Sequence, residues 1–268
     1  YMIGDRDNWN MENRHSRYRD LCQRVKNDYK MREECEKNQK GLRLLGCSEC
    51  EEINLWTYWQ GRGNMYPKIL LVGQDWWNLE DSYAQAIIKN VRAINSGATY
   101  NCNKGMNPAC KTDENLIELF ASLECGYDDL FHKPYKNLFF TNICLGYRSE
   151  GASGGLKTKY IDMDIKYFKE LVEILEPRVI ICLGKETFRG VRKAFHITCD
   201  LDQGSYNQFI TKSNPHKITL ENGKSIYIFA MAHCGAIGTI NRNRGTLIGE
   251  DKLILQKKDW RLIRQYLE

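Results

Sequence analysis

Three polar residues have side chains suited to breaking a bond whose two halves separate with opposite charges. Asp75 is a carboxylate, Asn142 a primary amide and His233 an imidazole. A carboxylate stabilises a developing cation, while an amide and an imidazole supply hydrogen-bond donors to a leaving group that gains negative charge. Taken singly, each has a simpler interpretation, as a helix cap, a strand-end hydrogen bonder and a core histidine. Their positions in the chain favour the chemical interpretation.

Each of the three follows a short apolar run of the kind that forms strands buried on both faces of a parallel sheet. Four such runs occupy 69–73, 138–142, 178–184 and 225–233. Ligands of α/β proteins bind beyond the carboxyl ends of such strands, at one edge of the sheet. We therefore expect Asp75, Asn142, Gly184 and His233 to line a common crevice.

Helical periodicity in the segments between these runs predicts an α/β protein. The segments are 79–94, 112–123, 162–175 and 185–195. We expect a three-layer α/β/α fold with a central four-stranded, mainly parallel sheet, and Asn222-Gly223 predicts a hairpin turn before the last strand. Residues 1–268 are expected to form one domain, with 1–46 as a helical N-terminal extension packed on it.

Composition sets the class of protein. The 268 residues are 42% hydrophobic and 27% charged, as in soluble globular proteins with a sizeable core. No apolar run is long enough to cross a bilayer, and we expect no signal peptide because residues 1–10 are polar. Eleven cysteines are best explained as free thiols in a reducing cytoplasm. The net charge of +5 permits a polyanionic partner. We expect a cytoplasmic monomer.

Cys47 and Cys50 form a C-x-x-C pair, which is half of a zinc or iron–sulfur site. No second close pair accompanies them, and two thiolates alone do not hold a metal. Two reduced thiols are the favoured interpretation, and a metal or cluster stays open as the alternative. We expect the chemistry at the crevice to require no cofactor.

Four segments resemble, in order and spacing, the motifs of the uracil-DNA glycosylase superfamily. Gly73-Gln74-Asp75 is similar to the start of its Gly-Gln-Asp-Pro-Tyr motif, and Thr141-Asn142 resembles its second-strand asparagine. Residues 177–184 resemble its third-strand segment, and 233–237 stand where the family has His-Pro-Ser-Pro-Leu. The resemblance covers about residues 45 to 245. It implies the family's fold and the excision of a base flipped out of DNA, leaving an abasic site.

The resemblance implies a role for each matching residue. Asp75 would position or activate the attacking water and stabilise the oxocarbenium-like sugar. Asn142 would hydrogen-bond the Watson–Crick edge of the extruded pyrimidine, because an amide offers both a donor and an acceptor. His233 would donate a hydrogen bond to the departing base as negative charge gathers on it.

Further residues would contact the DNA or the base. Ile237 would fill the space that the base vacates, and Arg242 and Arg244 would bind backbone phosphates. The residues expected to line the base pocket are Gly73, Gln74, Trp76, Trp77, Gly184 and Lys185.

Trp76 and Trp77 replace the family's proline and tyrosine. In the family, that tyrosine abuts carbon 5 of the pyrimidine and excludes thymine. The base therefore stays open between uracil and a bulkier or modified pyrimidine, such as a modified cytosine of phage DNA, which would imply phage defence. An inactive reader of bases or single-stranded DNA is the other alternative. Asp75 and His233 favour an enzyme, since a reader needs only the amide and the aromatic rings.

Overall fold

A computed structural model describes residues 3–35, 42–44, 65–75, 111–124, 138–148, 158–200, 204–247 and 249–268. Its helices are α1 (Ile3–Cys35), α2 (Lys111–Ala121), α3 (Thr158–Leu175), α4 (Lys185–Ala194), α5 (Tyr206–Ser213), α6 (Ala236–Asn243) and α7 (Ile254–Arg261), followed by a 3-10 turn at Arg264–Tyr266. Its strands are β1 (Leu42–Leu44), β2 (Ile69–Gly73), β3 (Leu138–Asn142), β4 (Gly146–Arg148), β5 (Val179–Leu183), β6 (His216–Thr219) and β7 (Ser225–Met231).

The main sheet has the strand order β3-β2-β5-β7-β6. The strands β3, β2, β5 and β7 are mutually parallel, and every residue of β2, β3 and β5 is buried. The predicted α/β class and the four parallel strands are thus confirmed, although Ser225 and Tyr227 of β7 are half-buried. Continuous apolar runs identified these strands because both of their faces are covered.

The predicted count of four strands is wrong, because β6 adds a fifth, antiparallel to β7 at the edge of the sheet. This strand alternates half-buried and exposed residues and has no apolar run. The predicted hairpin turn at Asn222-Gly223 does join β6 to β7. An edge strand with one partly covered face lacks the signal that marks a buried strand.

Helices cover both faces of the sheet. Helices α1, α3, α4 and α5 share a buried cluster with one set of alternate strand residues, which includes Leu70, Val72, Ile180 and Ile228. On the other face, α2 packs on α7, with the Phe120 and Trp260 rings 5.0 Å apart, and the 3-10 turn packs on β7. None of the helices in the described ranges is both long and apolar enough to cross a membrane.

The N-terminal helix α1 packs along α3 through Leu21, Val25 and Tyr29, each at most 1% exposed. These residues are four apart and so lie on one face of the helix. The predicted helical extension to residue 46 is corrected at its end, since the helix stops at Cys35 and β1 follows. Strand β1 pairs antiparallel with β4, and its Leu-Arg-Leu sequence has the alternation typical of a strand.

Candidate functional site

The carboxyl ends of four parallel strands form the edge at which the predicted site residues lie. Asn142 ends β3, Gly73 ends β2, Gly184 directly follows β5 and His233 follows β7 by two residues. Adjacent strands are about 4.8 Å apart, so β3 and β7 are separated by roughly 14 Å. Asp75, two residues beyond β2, belongs to the same edge. The sheet topology therefore gathers a carboxylate, an amide and an imidazole at one rim.

The Asn142 amide lies against the end of β2. Its side chain is 2% exposed, and its Oδ1 occupies the space beside Gly73, where an added Cβ would lie 2.3 Å from that oxygen. The two residues are register partners, so a side chain at 73 would point at the amide. Within the described ranges, no group hydrogen-bonds to this amide. A ligand at the edge can therefore use both its donor and its acceptor.

Asp75 lies in a backbone arrangement that extends the β2–β3 pairing. The Ile143 amide donates to the Gly73 carbonyl at 2.9 Å, and the Cys144 amide donates to the Gln74 carbonyl at 3.0 Å. Gln74 and Asp75 are half-buried, and the Oδ2 atom of Asp75 is shielded from solvent. Burial raises the pKa of the Cys144 thiol, and the negative charge of Asp75 contributes to the rise. The Asp75 carboxylate is therefore within electrostatic range of the Cys144 thiol.

The tautomer of His233 is set by the backbone. The Gly235 N–H donates to its Nδ1 at 3.0 Å, so in the neutral ring Nε2 carries the hydrogen. The ring has an exposed surface, yet the protein surrounds it closely enough that desolvation lowers its pKa. A lowered pKa keeps the imidazole neutral at physiological pH. The edge thus presents a neutral N–H donor.

Two buried amides that the sequence analysis missed hold the backbone of the His233 loop. Gln256 Nε2 donates to the His233 carbonyl at 3.2 Å, and Asn115 Nδ2 donates to the Cys234 carbonyl at 2.6 Å. Both are nearly inaccessible, at 1% and 3% exposed. The sequence feature that could have identified them is a polar residue next to apolar helix positions, such as Asn115 before Leu116. The histidine is therefore fixed by helices α7 and α2.

Helix α6 begins directly after the His233 loop and displays apolar side chains. Ile237 is 77% exposed and Ile240 is 66% exposed, and their spacing of three residues places them side by side as an apolar patch on the helix surface. Gly238 presses the helix onto the loop, since an added Cβ would lie 2.1 Å from the His233 carbonyl oxygen. Arg244 is exposed just beyond the helix and donates to Asn241 Oδ1 at 3.1 Å.

The expectation that Arg242 binds a phosphate is wrong. Its side chain is buried, and its Nε and Nη2 donate to the two carboxylate oxygens of Asp259 at 2.6 and 2.9 Å. A bidentate pair of this kind uses the planar fork of the guanidinium. Arg242 therefore joins α6 to α7 inside the protein and presents no charge to DNA.

Four predicted residues lie outside the described ranges, namely Trp76, Trp77, Cys47 and Cys50. Lys185 is the first residue of α4 and is half-buried. The cysteines whose side chains are described, Cys22, Cys144, Cys182, Cys199 and Cys234, are free thiols. Over those same ranges, no three ligating side chains gather as they would around a metal ion.

A cavity of about 490 Å³ lies between α3 and α4, away from the predicted site residues. Its charged lining is largely paired, with Lys193 on Asp162 at 2.6 Å and Arg189 on Glu186 at 2.8 Å. Asp75, Asn142 and His233 are not among its lining residues. We therefore base the candidate site on the strand ends and not on this cavity.

Chemically, the edge combines an anion, a neutral N–H donor and an amide that both donates and accepts. Such a set can stabilise a cation on one fragment and negative charge on the other while the amide orients the leaving group. No model of a known protein family and no curated protein matches this chain.

Proposed function

We propose that the chain is a monofunctional DNA glycosylase that hydrolyses the N-glycosidic bond of a flipped-out, non-standard pyrimidine and leaves an abasic site. The observation that carries this proposal is the state of His233, whose Nδ1 is occupied by the Gly235 N–H. Its Nε2–H is therefore the donor at an edge that also bears Asp75 and the buried Asn142 amide.

In this proposal His233 acts on the departing base. As the glycosidic bond lengthens, the base takes the bonding electrons and negative charge gathers on the carbonyl oxygen next to the bond that breaks. A neutral N–H donor stabilises that charge without having to give up a proton. The lowered pKa of His233 supports this role, because it keeps the ring in the form that the Gly235 contact requires.

Asp75 acts on the other fragment. The sugar becomes a cation when the base departs, and a carboxylate on its far side both stabilises that cation and orients the water that attacks it. The position of Asp75 two residues beyond β2 supports this role, since Asp75 belongs to the same edge of the sheet as Asn142, whose amide binds the base.

Asn142 selects and orients the base. Its amide offers one donor direction and one acceptor direction, which match the neighbouring carbonyl and N–H groups of a pyrimidine's Watson–Crick edge. Because Asn142 is 2% exposed and its Oδ1 lies against Gly73, packing restricts the position of the amide before the base arrives. Preorganisation of this kind lowers the entropic cost of binding.

The exposed face of α6 contacts the duplex. Ile237, at 77% exposed, inserts where the base has left the stack, and Arg244 binds a nearby phosphate. An aliphatic wedge replaces part of the stacking energy that base flipping costs. Solvent exposure of a large apolar side chain is otherwise unfavourable, which supports a role in binding.

The proposed substrate is a pyrimidine modified at carbon 5, with uracil as the alternative. Trp76 and Trp77 replace residues that in the resembling family close the pocket around uracil, so a differently shaped pocket is expected. Duplex and single-stranded oligonucleotides carrying uracil, 5-hydroxymethyluracil or C5-modified cytosines are incubated with the protein and treated with alkali. A C5-modified base should be excised faster than uracil, and equal or faster uracil excision would refute that preference.

Asp75→Asn tests the enzyme itself. This variant should lose alkali-labile strand cleavage by a factor of about 100 or more and keep its affinity for DNA. Asp162→Asn removes an exposed carboxylate of α3 and serves as the matched control. Absence of cleavage by the unaltered protein on every DNA, together with tight and selective binding, would establish an inactive reader instead.

A further inference from the structure

A buried carboxylate behind the candidate site hydrogen-bonds to the segment that follows Asn142. Asp164 is 0% exposed and lies on the apolar face of α3, between Ile161 and Phe168. Its Oδ2 accepts from the Leu145 amide at 2.9 Å and from the Tyr29 hydroxyl, and its Oδ1 accepts from Arg32 Nη1 at 2.9 Å. All of these donors come from outside α3, so Asp164 joins three parts of the chain.

The Leu145 amide is the last of three successive backbone contacts beyond the strand ends. The Ile143 and Cys144 amides donate to the carbonyls of Gly73 and Gln74, and the Leu145 amide donates to Asp164. The segment 143–145 is thereby held between the end of β2 and helix α3. Asn142 directly precedes this segment and Asp75 directly follows Gln74, so both candidate site residues depend on the same arrangement.

The Cys144 thiol lies within electrostatic range of both carboxylates, Asp164 and Asp75. Burial raises the pKa of the Cys144 thiol, and the charges of Asp164 and Asp75 raise it further. Cys144 is fully buried, and its amide donates the hydrogen bond to the Gln74 carbonyl. A shift of Cys144 would therefore disturb the contact that holds the residue before Asp75.

Helix α1 supplies hydrogen-bond donors and a positive charge that stabilise the buried Asp164 carboxylate. Burial raises the pKa of Asp164, whereas the Tyr29 hydroxyl, the Leu145 amide and the Arg32 guanidinium favour its charged form. Arg32 is itself held by Asp28, to which the Tyr167 hydroxyl also donates at 2.6 Å. A carboxylate held by three donors has little freedom to turn, which makes it a rigid anchor for the Leu145 amide.

We propose that Asp164 is a positioning residue for the reaction at the strand ends, acting through the Leu145 amide on Asn142 and Asp75. This inference rests on the proposed glycosylase function. Asp164 touches neither base nor sugar, and its effect passes through the backbone of 143–145. The N-terminal helix is then part of the catalytic architecture, since Tyr29 and Arg32 orient the Asp164 carboxylate.

Two double variants isolate this role. Asp164→Asn with Arg32→Gln removes the ion pair and keeps an oxygen that accepts from the Leu145 amide. Asp164→Leu with Arg32→Gln removes the same ion pair, has a branched side chain with the same number of non-hydrogen atoms, and offers no acceptor to the Leu145 amide or the Tyr29 hydroxyl. Both lack the cation that a single substitution would leave buried without its anion. Glu170→Gln is the control for α1–α3 packing, because it breaks the exposed Arg24–Glu170 pair between the same two helices.

The readouts are the single-turnover excision rate, the affinity for DNA containing an abasic-site analogue, and hydrogen exchange of the 143–146 amides. The leucine double variant should excise the base about tenfold or more slowly than the asparagine double variant. Its DNA affinity should stay within about twofold, because the surface that meets DNA is unchanged. Exchange of the 143–146 amides should accelerate only in the leucine variant.

Equal excision rates in the two double variants, measured where both are folded, would overturn the positioning role. A rate loss that tracks only the unfolded fraction, or that Glu170→Gln reproduces, would overturn it as well. If the unaltered protein excises no base from any DNA, the glycosylase proposal fails. Hydrogen exchange then still decides the anchor, since unchanged protection of 143–146 in the leucine variant rejects it.

Discussion

Gly73→Ala should separate the stability of the protein from its recognition of the base. The added methyl group would lie 2.3 Å from Asn142 Oδ1, whereas Cβ atoms essentially never approach a neighbour within 3.0 Å. Either the amide turns away or β2 and β3 move apart by roughly 1 Å. The amide is expected to move more easily than the strands, because nothing in the described ranges hydrogen-bonds to it whereas β2 is paired on both sides.

The expected losses of stability and of excision rate follow from the turning of the amide. Overpacking by one methyl group costs about 1–3 kcal/mol of the free energy of unfolding. A turned amide loses its hydrogen bonds to the base, at about 1–1.5 kcal/mol each, which corresponds to roughly tenfold in excision rate per bond. With two bonds expected to the base, excision should fall by about 100-fold.

The assay is a double-mutant cycle with Asn142→Ala, which removes the colliding oxygen. Urea unfolding and single-turnover excision are measured on both single variants and on the double variant. The double variant should recover stability relative to Gly73→Ala alone, because the added methyl meets no amide. It should not recover excision. Gly249→Ala is the control, since an added Cβ there has no neighbour within 4 Å.

Excision at the wild-type rate by folded Gly73→Ala would contradict the predicted turning of the amide. Additive effects of the two substitutions on stability would contradict the predicted collision, because that collision is what couples position 73 to Asn142. Restored excision in the double variant would show that the amide is not needed for the reaction.

Three further predictions concern His216, the α6–α7 ion pair and Arg244. Burial lowers the pKa of His216, so the folded state prefers the neutral ring and stability is lost as pH falls below 6.5, the ordinary value. His216→Phe should therefore lose less stability than wild type between about pH 7 and 5 in urea unfolding, and identical losses would contradict this. Asp259→Asn should destabilise by about 3–5 kcal/mol, because it leaves Arg242 buried without its anion, and an unchanged melting temperature would argue against the pair. Arg244→Ala should weaken DNA binding and reduce the salt slope of log K by about 1, and an unchanged slope would exclude a phosphate contact.

The buried strands and their shared edge could be predicted from sequence because burial on two faces leaves continuous apolar runs. Ile69–Gly73 and Val179–Leu183 carry this signal without interruption. Strand β6 could not be recognised in the same way, since His216 to Thr219 alternate and are nowhere fully buried. The parallel order then brings Asn142, Gly73 and His233 to one rim whatever the loops between them contain.

Partnerships between distant residues could not be predicted. The sequence analysis predicted Arg242 to be an exposed, phosphate-binding residue. Nothing in the sequence indicates that Asp259, seventeen residues later, is its buried partner. Asp164 carried a weaker signal, as a carboxylate in register with the apolar positions Ile161 and Phe168 of a helix. Its donors lie up to 135 residues away and only the folded structure reveals them.

The close approach of Gly238 to the His233 carbonyl has a mechanical consequence. The helix that displays Ile237 packs on the main chain of His233 with no room for a side chain at position 238, so a displacement of the helix toward the loop would also displace the histidine. In the proposed function, the insertion of Ile237 into the duplex and the placement of His233 against the extruded base would thus be coupled.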